Sequence, residues 1–506
     1  MTGSLLLGVD IGTSSSKGVI CTPEGDVVAT AVIAHETSFP RPGWAEHDAD
    51  RIWWDEFVQI TRMLLSQGFT GDDIGAVGVS AIGPCLLPLD AHGKPLRTAI
   101  LYGIDSRASD EILELEALHD VDTMARANGM RLTSQAMGPK IRWIRNHQPD
   151  IFARTAVMQS ANSYLVFRLT GEQTMDRHTA SYFAPLFDLD TGNWFDTYAA
   201  DVIEIERLPR IIDATDIAGQ VTPDAAAATG LIIGTPVSGG TVDAPAEAVS
   251  GGVMDDGDML AMYGSTMFFL QCVENPQPDP RMWIVANCLP GNRLITGSLT
   301  SGGLLTNWLR DEIGVPGVAP EDLYAAIGRL ASETPPGAEG LICLPYFAGE
   351  RAPIYDPLAR GVIAGLSLRH TRGHLFRAAL EGTGFGMRHN LETMRDMGAN
   401  PRRVVAVGGG THNPVWLQIV SDVTGVSQMV PEQTIGASYG DAFMAGLASG
   451  IVADRSALNG QWVRPARTYE PDPDLFGLYS ERYEMFRRLY ESTRDDVHKL
   501  AASQTG

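Results

Sequence analysis

The chain contains 506 residues and carries a formal net charge of −23 at pH 7. A chain of this length usually forms more than one hydrophobic core, so we expect at least two domains. Hydrophobic residues at 44% and charged residues at 20% are typical of compact globular proteins. The negative charge disfavours nucleic acids and anionic membrane surfaces as partners, because like charges repel.

The sequence lacks the patterns of membrane insertion, export and disulfide bonding. Its apolar runs fall short of the roughly 20 residues that span a bilayer, and MTGSLLLGVDIGT has neither the basic start nor the long apolar stretch of a signal peptide. The five cysteines are scattered without the CxxC spacing of zinc sites. We therefore expect a cytoplasmic protein with buried, unpaired thiols.

Two segments about half a chain apart share one pattern. LLLGVDIGTSSSKGVICTPEGDVVATAVI predicts a strand, a turn rich in Gly, Ser and Thr, and further strands. PVSGGTVDAPAEAVSGGVMDDGDMLAMYGST again runs an apolar strand into glycines and an aspartate. The repetition predicts two lobes of the same topology that face each other across a cleft, formed by residues 1–242 and residues 243–506.

Helical periodicity and short strands alternate along the rest of the chain. Strands are predicted at GAVGVSAI and VVAVGGG, between helices, so the fold class is α/β with partly parallel sheets. Helices are predicted at ADRIWWDEFVQITRMLLSQ, GHLFRAALEGTGFGMRHNLETMRDMG, PVWLQIVSDVTG and the tail LFGLYSERYEMFRRLYESTRDDVHKLAAS.

The segment DIGTSSSKG has the composition of a phosphate-binding loop. Asp10 ends an apolar strand, and Thr13, Ser14 and Lys17 follow it. Backbone N–H groups and hydroxyls can bind a phosphate, the lysine can neutralise it, and the aspartate can hold Mg²⁺ through water. The Walker pattern GxxxxGK[ST] is absent, and a plain tight hairpin fits the same residues.

A second carboxylate stands in GGTVDAPAEAVSGG. Asp243 follows a glycine-rich strand end and precedes small residues that can start a helix. A carboxylate in this place can accept a proton from an incoming hydroxyl while the helix N-terminus stabilises phosphate charge. An aspartate that only caps the helix fits the same pattern.

Further glycines follow predicted strands in YGSTMFF, TSGGLLTNWLRD and AVGGGTHNPVW. Glycine at a strand end lets a nucleotide approach the backbone, because a Cβ there would collide with it. Each motif alone is weak, but together they favour a nucleotide cleft. The residues of interest in them are Gly264, Thr266, Gly303, Asn307, Gly409 and Asn413.

With these motifs, the chain resembles the FGGY family of carbohydrate kinases over most of its length. DIGTSSSKG is similar to the family's first phosphate loop, PGWAEHDADRIWW to the segment that closes over the sugar, and GVIAGLSLRHTRGHLFRAALEG to its C-terminal signature. The resemblance implies two actin-like and hexokinase-like (ribonuclease H-like) lobes that use ATP and Mg²⁺ to phosphorylate a small sugar. Homodimers are common in the family and are an expected assembly.

The resemblance also implies roles for single residues. Asp243 takes the position of the catalytic base, and Asp10 takes that of the Mg²⁺ and phosphate ligand. The residues expected to contact ATP are Thr13, Ser14, Lys17, Gly264, Thr266, Gly303, Asn307, Gly409 and Asn413.

The sugar pocket departs from the usual family pattern. Gly83 and Pro84 stand where xylulokinases carry Gln-Met-His and glycerol kinases carry Arg-Glu. A core aromatic and a solvated helix lysine are the competing interpretations of Trp44 and Lys140. The residues expected to line the pocket are Trp44, Gly83, Pro84, Tyr102, Asp105, Lys140 and Asp243.

We therefore expect an ATP-dependent carbohydrate kinase, with a ketopentose such as D-xylulose as the first candidate substrate. Ribulose, erythritol, glycerol and deoxysugars stay open as acceptors. A chaperone-like or other non-sugar ATPase of the actin-like superfamily and a sugar sensor without turnover are competing classes. Sugar-dependent ADP release tests the former, and detection of a phosphorylated product tests the latter.

Overall fold

The computed structural model describes residues 3–319, 322–433 and 435–503, which form two compact units. Within those residues, unit 1 runs to Met254 and includes Ile284–Leu294 and Ile435–Arg464. Unit 2 includes Asp255–Trp283, the residues from Ile295 to 433, and the chain from Pro465 onward.

Strands and helices alternate through both units. The strands are β1 Leu5–Ile11, β2 Ser15–Cys21, β3 Val27–Ala34, β4 Glu46–His47, β5 Ile74–Ala81, β6 Leu87–Leu89, β7 Ala99–Ile100, β8 Val157–Gln159, β9 Thr174–Asp176, β10 Phe187–Asp188, β11 Asn193–Trp194, β12 Arg210–Ile212, β13 Ile217–Gln220, β14 Pro236–Ser238, β15 Thr241–Val242, β16 Asp258–Tyr263, β17 Met267–Val273, β18 Trp283–Ala286, β19 Arg293–Leu299, β20 Ile342–Leu344, β21 Val362–Ala364, β22 Arg403–Val407, β23 Gln428–Pro431 and β24 Pro465–Tyr469. The α-helices are α1 Asp55–Leu65, α2 Ser109–Leu118, α3 Val121–Asn128, α4 Met137–His147, α5 Pro149–Arg154, α6 Ala161–Thr170, α7 Arg177–Ser181, α8 Pro223–Thr229, α9 Asp243–Ser250, α10 Gly303–Trp308, α11 Leu323–Glu333, α12 Arg372–Asp396, α13 Pro414–Thr424, α14 Ala437–Ser449 and α15 Phe476–Ala502.

The two units contain main sheets with the same strand pattern. In unit 1 the order is β3-β2-β1-β5-β14-β13, and β15 also pairs with β5. In unit 2 the corresponding order is β19-β17-β16-β22-β23-β24. In each sheet an antiparallel hairpin, β1–β2 or β16–β17, is followed by a parallel neighbour, β5 or β22. The predicted α/β class and the predicted repeat of one topology are confirmed.

Hydrophobic periodicity correctly located the main helices. The pattern that starts at residue 49 forms a π-helical turn at Ala49–Trp54 and then α1. The other three predicted helices correspond to α12, α13 and α15. GAVGVSAI forms β5, in which every residue is buried, as expected for a strand that is covered on both faces.

The core of unit 1 shows why these patterns fold as they do. Helix α1 buries Phe57, Ile60 and Leu64 on one side, which lies against β2 and β3. Residues at these spacings share one helix face, and each buried side chain of this size stabilises the fold by about 1.5–3 kcal/mol. All five cysteines are buried, as predicted.

The compact units differ from the predicted division between residues 242 and 243. Asp243 lies in unit 1, which continues to Met254 and takes up later segments of the chain. The reason is local packing, because β15 pairs with β5 and α9 packs against α14. None of the helices in the described ranges is long and apolar enough to cross a membrane.

A buried histidine predicts a specific acid sensitivity. The side chain of His178 in α7 is only 1% exposed, and its Nδ1 lies 2.7 Å from the carbonyl oxygen of Ala286. Burial lowers the pKa of His178 from 6.5 to about 4, so the unfolded chain binds more protons between these values. The stability present above pH 6.5 is therefore lost as the pH falls, by about 3 kcal/mol at pH 4.

The change that tests this sensitivity is His178→Asn, whose amide can still donate to Ala286. We expect the variant to lose less stability than the wild type between pH 6.5 and pH 4.5, measured by denaturant unfolding at each pH. His92→Asn, at an exposed histidine, is the control and should follow the wild type. Parallel curves for His178→Asn and the wild type would contradict the prediction.

Candidate functional site

The predicted phosphate loop is the turn of a hairpin in unit 1. Asp10 lies in β1 and faces Lys17 of β2 as its cross-strand partner. Only residues 12–14 lie between the two strands, so much of DIGTSSSKG is strand rather than flexible loop. Asp10 is 8% exposed, whereas Lys17 is exposed. The hairpin thus sets a buried carboxylate opposite an accessible ammonium group.

A serine connects Asp10 to a second buried carboxyl group. Ser80 of β5 lies beside Asp10 in the parallel register. Its Oγ is 3.0 Å from Oδ1 of Asp10 and 2.6 Å from Oδ2 of Asp441. Among the described residues, no hydrogen-bond partner is found for Oδ1 of Asp441, although this atom is buried. The arrangement leaves acceptor capacity in a buried polar cluster.

Two glycines allow helix α14 to bring Asp441 to this place. A Cβ at Gly8 of β1 would lie 1.9 Å from the carbonyl oxygen of Ser438. A Cβ at Gly78 of β5 would lie 2.1 Å from the carbonyl oxygen of Asp441. Any larger residue would push the helix away from the sheet. The close approach therefore depends on glycine at both positions.

Asp243 is placed by the same sheet. Strand β15 pairs with β5, with Thr241 opposite Ser80, and α9 begins at Asp243. Glu247 stands one helical turn further on, so its side chain and that of Asp243 share a face of α9. Both residues are partly exposed. Four acidic residues of unit 1 thus converge on one region, namely Asp10, Asp243, Glu247 and Asp441.

The carboxyl groups of this cluster have raised pKa values, because burial and their mutual repulsion outweigh the positive charge of Lys17. Burial raises the pKa of Asp10 to about 6, against the effects of the Ser80 hydrogen bond and of Lys17. Burial and then the charge of Asp10 raise the pKa of Asp243 to about 8. The same two causes raise the pKa of Glu247 to about 7, opposed by Lys17. A cation at this cluster would lower the pKa of all three groups.

The acidic side chains are compatible with a magnesium ion that takes most of its ligands from water and substrate phosphates. No group of three or more His, Cys, Asp or Glu side chains in the described residues is arranged to hold a metal. Mg²⁺ commonly binds through one or two carboxylates, keeps several waters and takes its remaining ligands from substrate phosphates. The carboxylate of Asp10, with the spare acceptor of Asp441 nearby, fits such a site.

Three of the predicted sugar-pocket residues lie in one network, in which Asp105 and Lys140 are buried and Trp44 is partly exposed. Asp105 is fully buried and accepts hydrogen bonds from the Arg107 guanidinium and from the backbone N–H of Ala45 at 2.7 Å. The Arg107 guanidinium in turn lies 3.9 Å from the ring centroid of Trp44. Lys140 is 1% exposed. These contacts hold the segment around residue 45 against the segment around residue 105.

Lys140 is occupied by backbone carbonyl groups. Its Nζ donates to the carbonyl oxygens of Leu101 at 2.5 Å and Tyr102 at 2.8 Å. Burial lowers the pKa of Lys140 to about 7, and the charge of Asp105 opposes this effect. Asp105 and Lys140 thus have partners within the protein, and their direct contact with a sugar stays a prediction.

One other predicted pocket residue, Gly83, lies close to Asp243. A Cβ at Gly83 would be 2.1 Å from Cγ1 of Val242, the residue before Asp243, so a side chain at position 83 has no room. Besides burial, the charge of Asp243 raises the pKa of the Tyr182 hydroxyl, and it contributes to the raised pKa of the Cys85 thiol. Tyr182 and Cys85 are therefore neighbours of Asp243 that the sequence did not indicate.

Unit 2 contains a cavity of about 930 Å³ at the glycine-rich strand ends. Its lining includes five of the six residues of this unit that were predicted to contact ATP, namely Gly264, Gly303, Asn307, Gly409 and Asn413. The sixth, Thr266, is absent from the lining, but its carbonyl oxygen accepts a hydrogen bond from the backbone N–H of Gly264 at 3.1 Å. A cavity of this size suits a nucleotide-sized ligand.

Gly409 offers a direct test of this cavity. It is exposed, and a Cβ built on it meets no atom within 4 Å. Gly409→Leu should therefore fill space at the cavity without disturbing the fold, and we expect the KM for ATP to rise about tenfold, a loss of about 1.4 kcal/mol of binding. Gly477→Leu, at an exposed glycine of α15 with equally open surroundings, is the control. Equal KM values for the two variants would exclude the cavity as the nucleotide site.

Three polar residues at the candidate site were missed by the sequence patterns. The sequence could have indicated Asp441, because it is the one charged residue in the otherwise uncharged segment ASYGDAFMAGLASG. It could also have indicated Glu247, since this residue follows Asp243 at the i,i+4 spacing of a helix. It could not have indicated Ser80, because a single serine in an apolar strand is common.

Comparison with known proteins identifies the family. Residues 5–250 match the N-terminal domain, and residues 259–449 the C-terminal domain, of the FGGY family of carbohydrate kinases. A xylulose kinase of Escherichia coli K12 is 28% identical over 96% of this chain and 99% of its own. A glycerol kinase of Trichlorobacter lovleyi is 30% identical over 97% and 99%. The crystal structure of xylulose kinase from Rhodospirillum rubrum has a TM-score of 0.91 and 33% identity over 98% of this chain and 100% of that one. The chain thus has the two-domain fold of the FGGY family of carbohydrate kinases and belongs to that family.

Proposed function

We propose that the protein transfers the γ-phosphoryl group of ATP to a hydroxyl of a ketopentose such as D-xylulose, with Asp243 as the catalytic base. The observation that carries the proposal is the position of Asp243 at the start of α9, beside the strand that bears Ser80 and within the electrostatic influence of Asp10. A base and a phosphate-binding hairpin within one unit are the parts that phosphoryl transfer to an alcohol requires.

The two units would contribute different parts of the reaction. The cavity of unit 2 would hold the nucleoside part of ATP, with Gly264, Gly303 and Gly409 allowing close approach to the backbone. In unit 1, Thr13, Ser14 and Lys17 would bind phosphate oxygens. Phosphoryl transfer needs little covalent chemistry from the protein, so positioning and charge stabilisation would provide most of the acceleration.

The proton of the acceptor hydroxyl would pass to Asp243. As the sugar oxygen forms its bond to the γ-phosphorus, the bond from that phosphorus to the bridging oxygen of ADP breaks, and the Asp243 carboxylate takes the hydroxyl proton. Because burial and Asp10 raise the pKa of Asp243 to about 8, the carboxylate gains basicity, but it needs nearby positive charge to be ionised at neutral pH. Lys17 acts on Asp10 and Glu247, so positive charge for Asp243 itself would come from the magnesium ion bound with ATP.

Asp10 would hold a magnesium ion together with water and the phosphates of ATP. When bound, such an ion neutralises charge on the phosphate oxygens. The buried position of Asp10, fixed by Ser80 and by its pairing with Lys17, suits a residue whose carboxylate must stay in one orientation.

We favour the ketopentose over glycerol because a solved structure that is similar to this chain in both fold and sequence is a xylulose kinase. Xylulose kinases include both the E. coli relative and the R. rubrum structure. Glycerol is the second candidate, because the T. lovleyi glycerol kinase is similar over nearly the whole chain. The absence of room for a side chain at Gly83 leaves the acceptor to be recognised by other groups, such as Trp44 and Tyr102.

The test is ADP release measured against a panel of D-xylulose, L-xylulose, ribulose, erythritol, glycerol and a deoxysugar. We expect D-xylulose to give the highest kcat/KM and a phosphorylated product detectable by mass spectrometry. A higher kcat/KM with glycerol than with D-xylulose would make glycerol the acceptor in place of the ketopentose. ADP release that no sugar or polyol stimulates would overturn the proposal and favour a non-sugar ATPase.

A further inference from the structure

The backbone carbonyl groups in the turn of the phosphate hairpin accept hydrogen bonds from the segment that follows β3. The hydroxyl of Thr37 donates to the carbonyl oxygen of Thr13 at 2.9 Å, and Nε2 of His35 lies 3.1 Å from that of Gly12. The backbone N–H of His35 donates to the carbonyl oxygen of Ser14 at 3.0 Å. Three successive carbonyl groups of the turn are therefore tied to the segment that follows β3.

This pattern has a consequence for an anion at the turn. A backbone carbonyl that faces a phosphate repels it, whereas N–H groups and hydroxyls attract it. Bonds that hold the carbonyl groups of residues 12–14 on one side restrict the turn to conformations that suit an anion on the other side. Prior ordering of a binding loop improves affinity, because less conformational entropy is lost on binding.

Thr37 is itself oriented by a chain of donors that begins in the core. The indole N–H of Trp53 donates to Nδ1 of His47 at 3.2 Å. Since Nδ1 accepts, the proton of the neutral His47 ring is on Nε2, which lies 3.0 Å from the hydroxyl oxygen of Thr37. The Thr37 hydroxyl proton is then directed to Thr13. Every donor in the chain points the same way, from Trp53 towards the turn.

Burial and neighbouring side chains fix the arrangement of these hydrogen bonds and the protonation of His47. Trp53 and His47 are both fully buried. Burial and the nearby His35 lower the pKa of His47 to about 4, so its ring is neutral at physiological pH. Both ring nitrogens of His35 also face acceptors, Glu56 at 2.9 Å and the carbonyl oxygen of Gly12. The side chain of Glu56 is 9% exposed and also accepts the hydroxyl of Ser16 at 2.6 Å.

We propose that Thr37, oriented by His47 and Trp53, is a positioning residue that fixes the phosphate turn and thereby sets the affinity for the terminal phosphates of ATP. The inference rests on the proposed function, because it takes the turn of residues 12–14 as the phosphate site. Thr37 acts through the backbone of Thr13 and touches no reacting atom.

The matched pair of variants is Thr37→Val, which has nearly the same shape but no hydroxyl, and Thr37→Ser, which keeps the hydroxyl. Calorimetric titration of the full chain with ATP and with AMP separates the terminal phosphates from the nucleoside. We expect Thr37→Val to weaken ATP binding about five- to tenfold, the scale of one lost hydrogen bond, with AMP binding unchanged. Thr37→Ser should restore ATP binding to near the wild-type value.

Further variants separate positioning from a general loss of stability. His47→Leu should weaken ATP binding as Thr37→Val does, whereas His47→Gln, whose amide can both accept and donate, should bind ATP more tightly than His47→Leu. Thr30→Val, at an exposed threonine of β3, is the control. Steady-state kinetics should show the KM for ATP raised in Thr37→Val, with the KM for the sugar unchanged.

Three results would overturn the inference: wild-type ATP affinity in Thr37→Val, equal weakening of ATP and AMP, or a Thr37→Ser variant as weak as Thr37→Val. The binding measurements need no turnover. A wild-type protein that binds ATP but phosphorylates no sugar would therefore refute the proposed function while the role of Thr37 is still decided by titration.

Discussion

Asp243→Asn is expected to lower kcat by at least ~10²-fold, the usual scale of general-base catalysis. Asparagine has the shape of aspartate but cannot take the proton of the acceptor hydroxyl. ATP affinity should stay near the wild-type value, because the cavity that we propose for the nucleoside lies in unit 2. The thermal midpoint should not fall, since burial and Asp10 make a charged carboxylate at position 243 unfavourable for the folded chain.

The measurement is steady-state ADP release with the best acceptor of the panel, together with titration by ATP. Asp224→Asn changes an exposed carboxylate near the start of α8 in the same unit and serves as the control. It should keep wild-type kcat. Turnover of Asp243→Asn within a few-fold of the wild type would refute the assignment of the base.

Asp10→Asn should lower kcat by about 10²-fold, the scale of removing one group that stabilises transition-state charge. The half-saturating concentration of Mg²⁺ should also rise, by about tenfold. The amide oxygen can still accept the hydrogen bond of Ser80, so the hairpin should keep its structure. Loss of charge, and not loss of folding, is then the cause of the defect.

The Mg²⁺ dependence separates a metal role from a purely structural one. It is measured as the rate of ADP release at fixed ATP over a range of Mg²⁺ concentrations, with circular dichroism as the check on folding. Asp26→Asn, at an exposed carboxylate after β2, is the control. An unchanged Mg²⁺ requirement in Asp10→Asn would remove Asp10 from the metal site.

Local patterns accounted for much of the fold. The hairpin β1–β2, the buried strand β5 and the helices α1, α12 and α13 all follow from turn residues and hydrophobic spacing, which act over a few neighbouring positions. Two similar sequence segments predicted a repeated strand pattern, and the strand orders of the two main sheets confirm this repeat. The glycines at the ends of β16 and β22 line the cavity of unit 2, and their contact with a nucleotide stays a prediction.

The acidic cluster of unit 1 could be predicted only in part. Asp10 and Asp243 stand out because each follows an apolar strand at a glycine-rich turn. The hydrogen bond between Ser80 and Asp441 joins residues 361 positions apart, and it forms only because α14 approaches the sheet closely. The assignment of Asp243 to unit 1 has a similar cause, since the pairing of β15 with β5 is a long-range contact.

The amino-acid sequence by itself determined the α/β class, the repeated strand pattern and the hairpin β1–β2, because propensity, periodicity and turn chemistry are local properties of the chain. The role of Asp243 as candidate base came instead from the resemblance to the family, since an aspartate that only caps the helix fits the same local pattern. Only the tertiary structure decided which carboxyl groups share a site and which side chains orient them. The raised pKa of Asp243, the placement of Asp441 and the chain of donors from Trp53 to Thr13 depend on burial and on contacts between distant segments. Such properties come into being when helices and strands pack and exclude water.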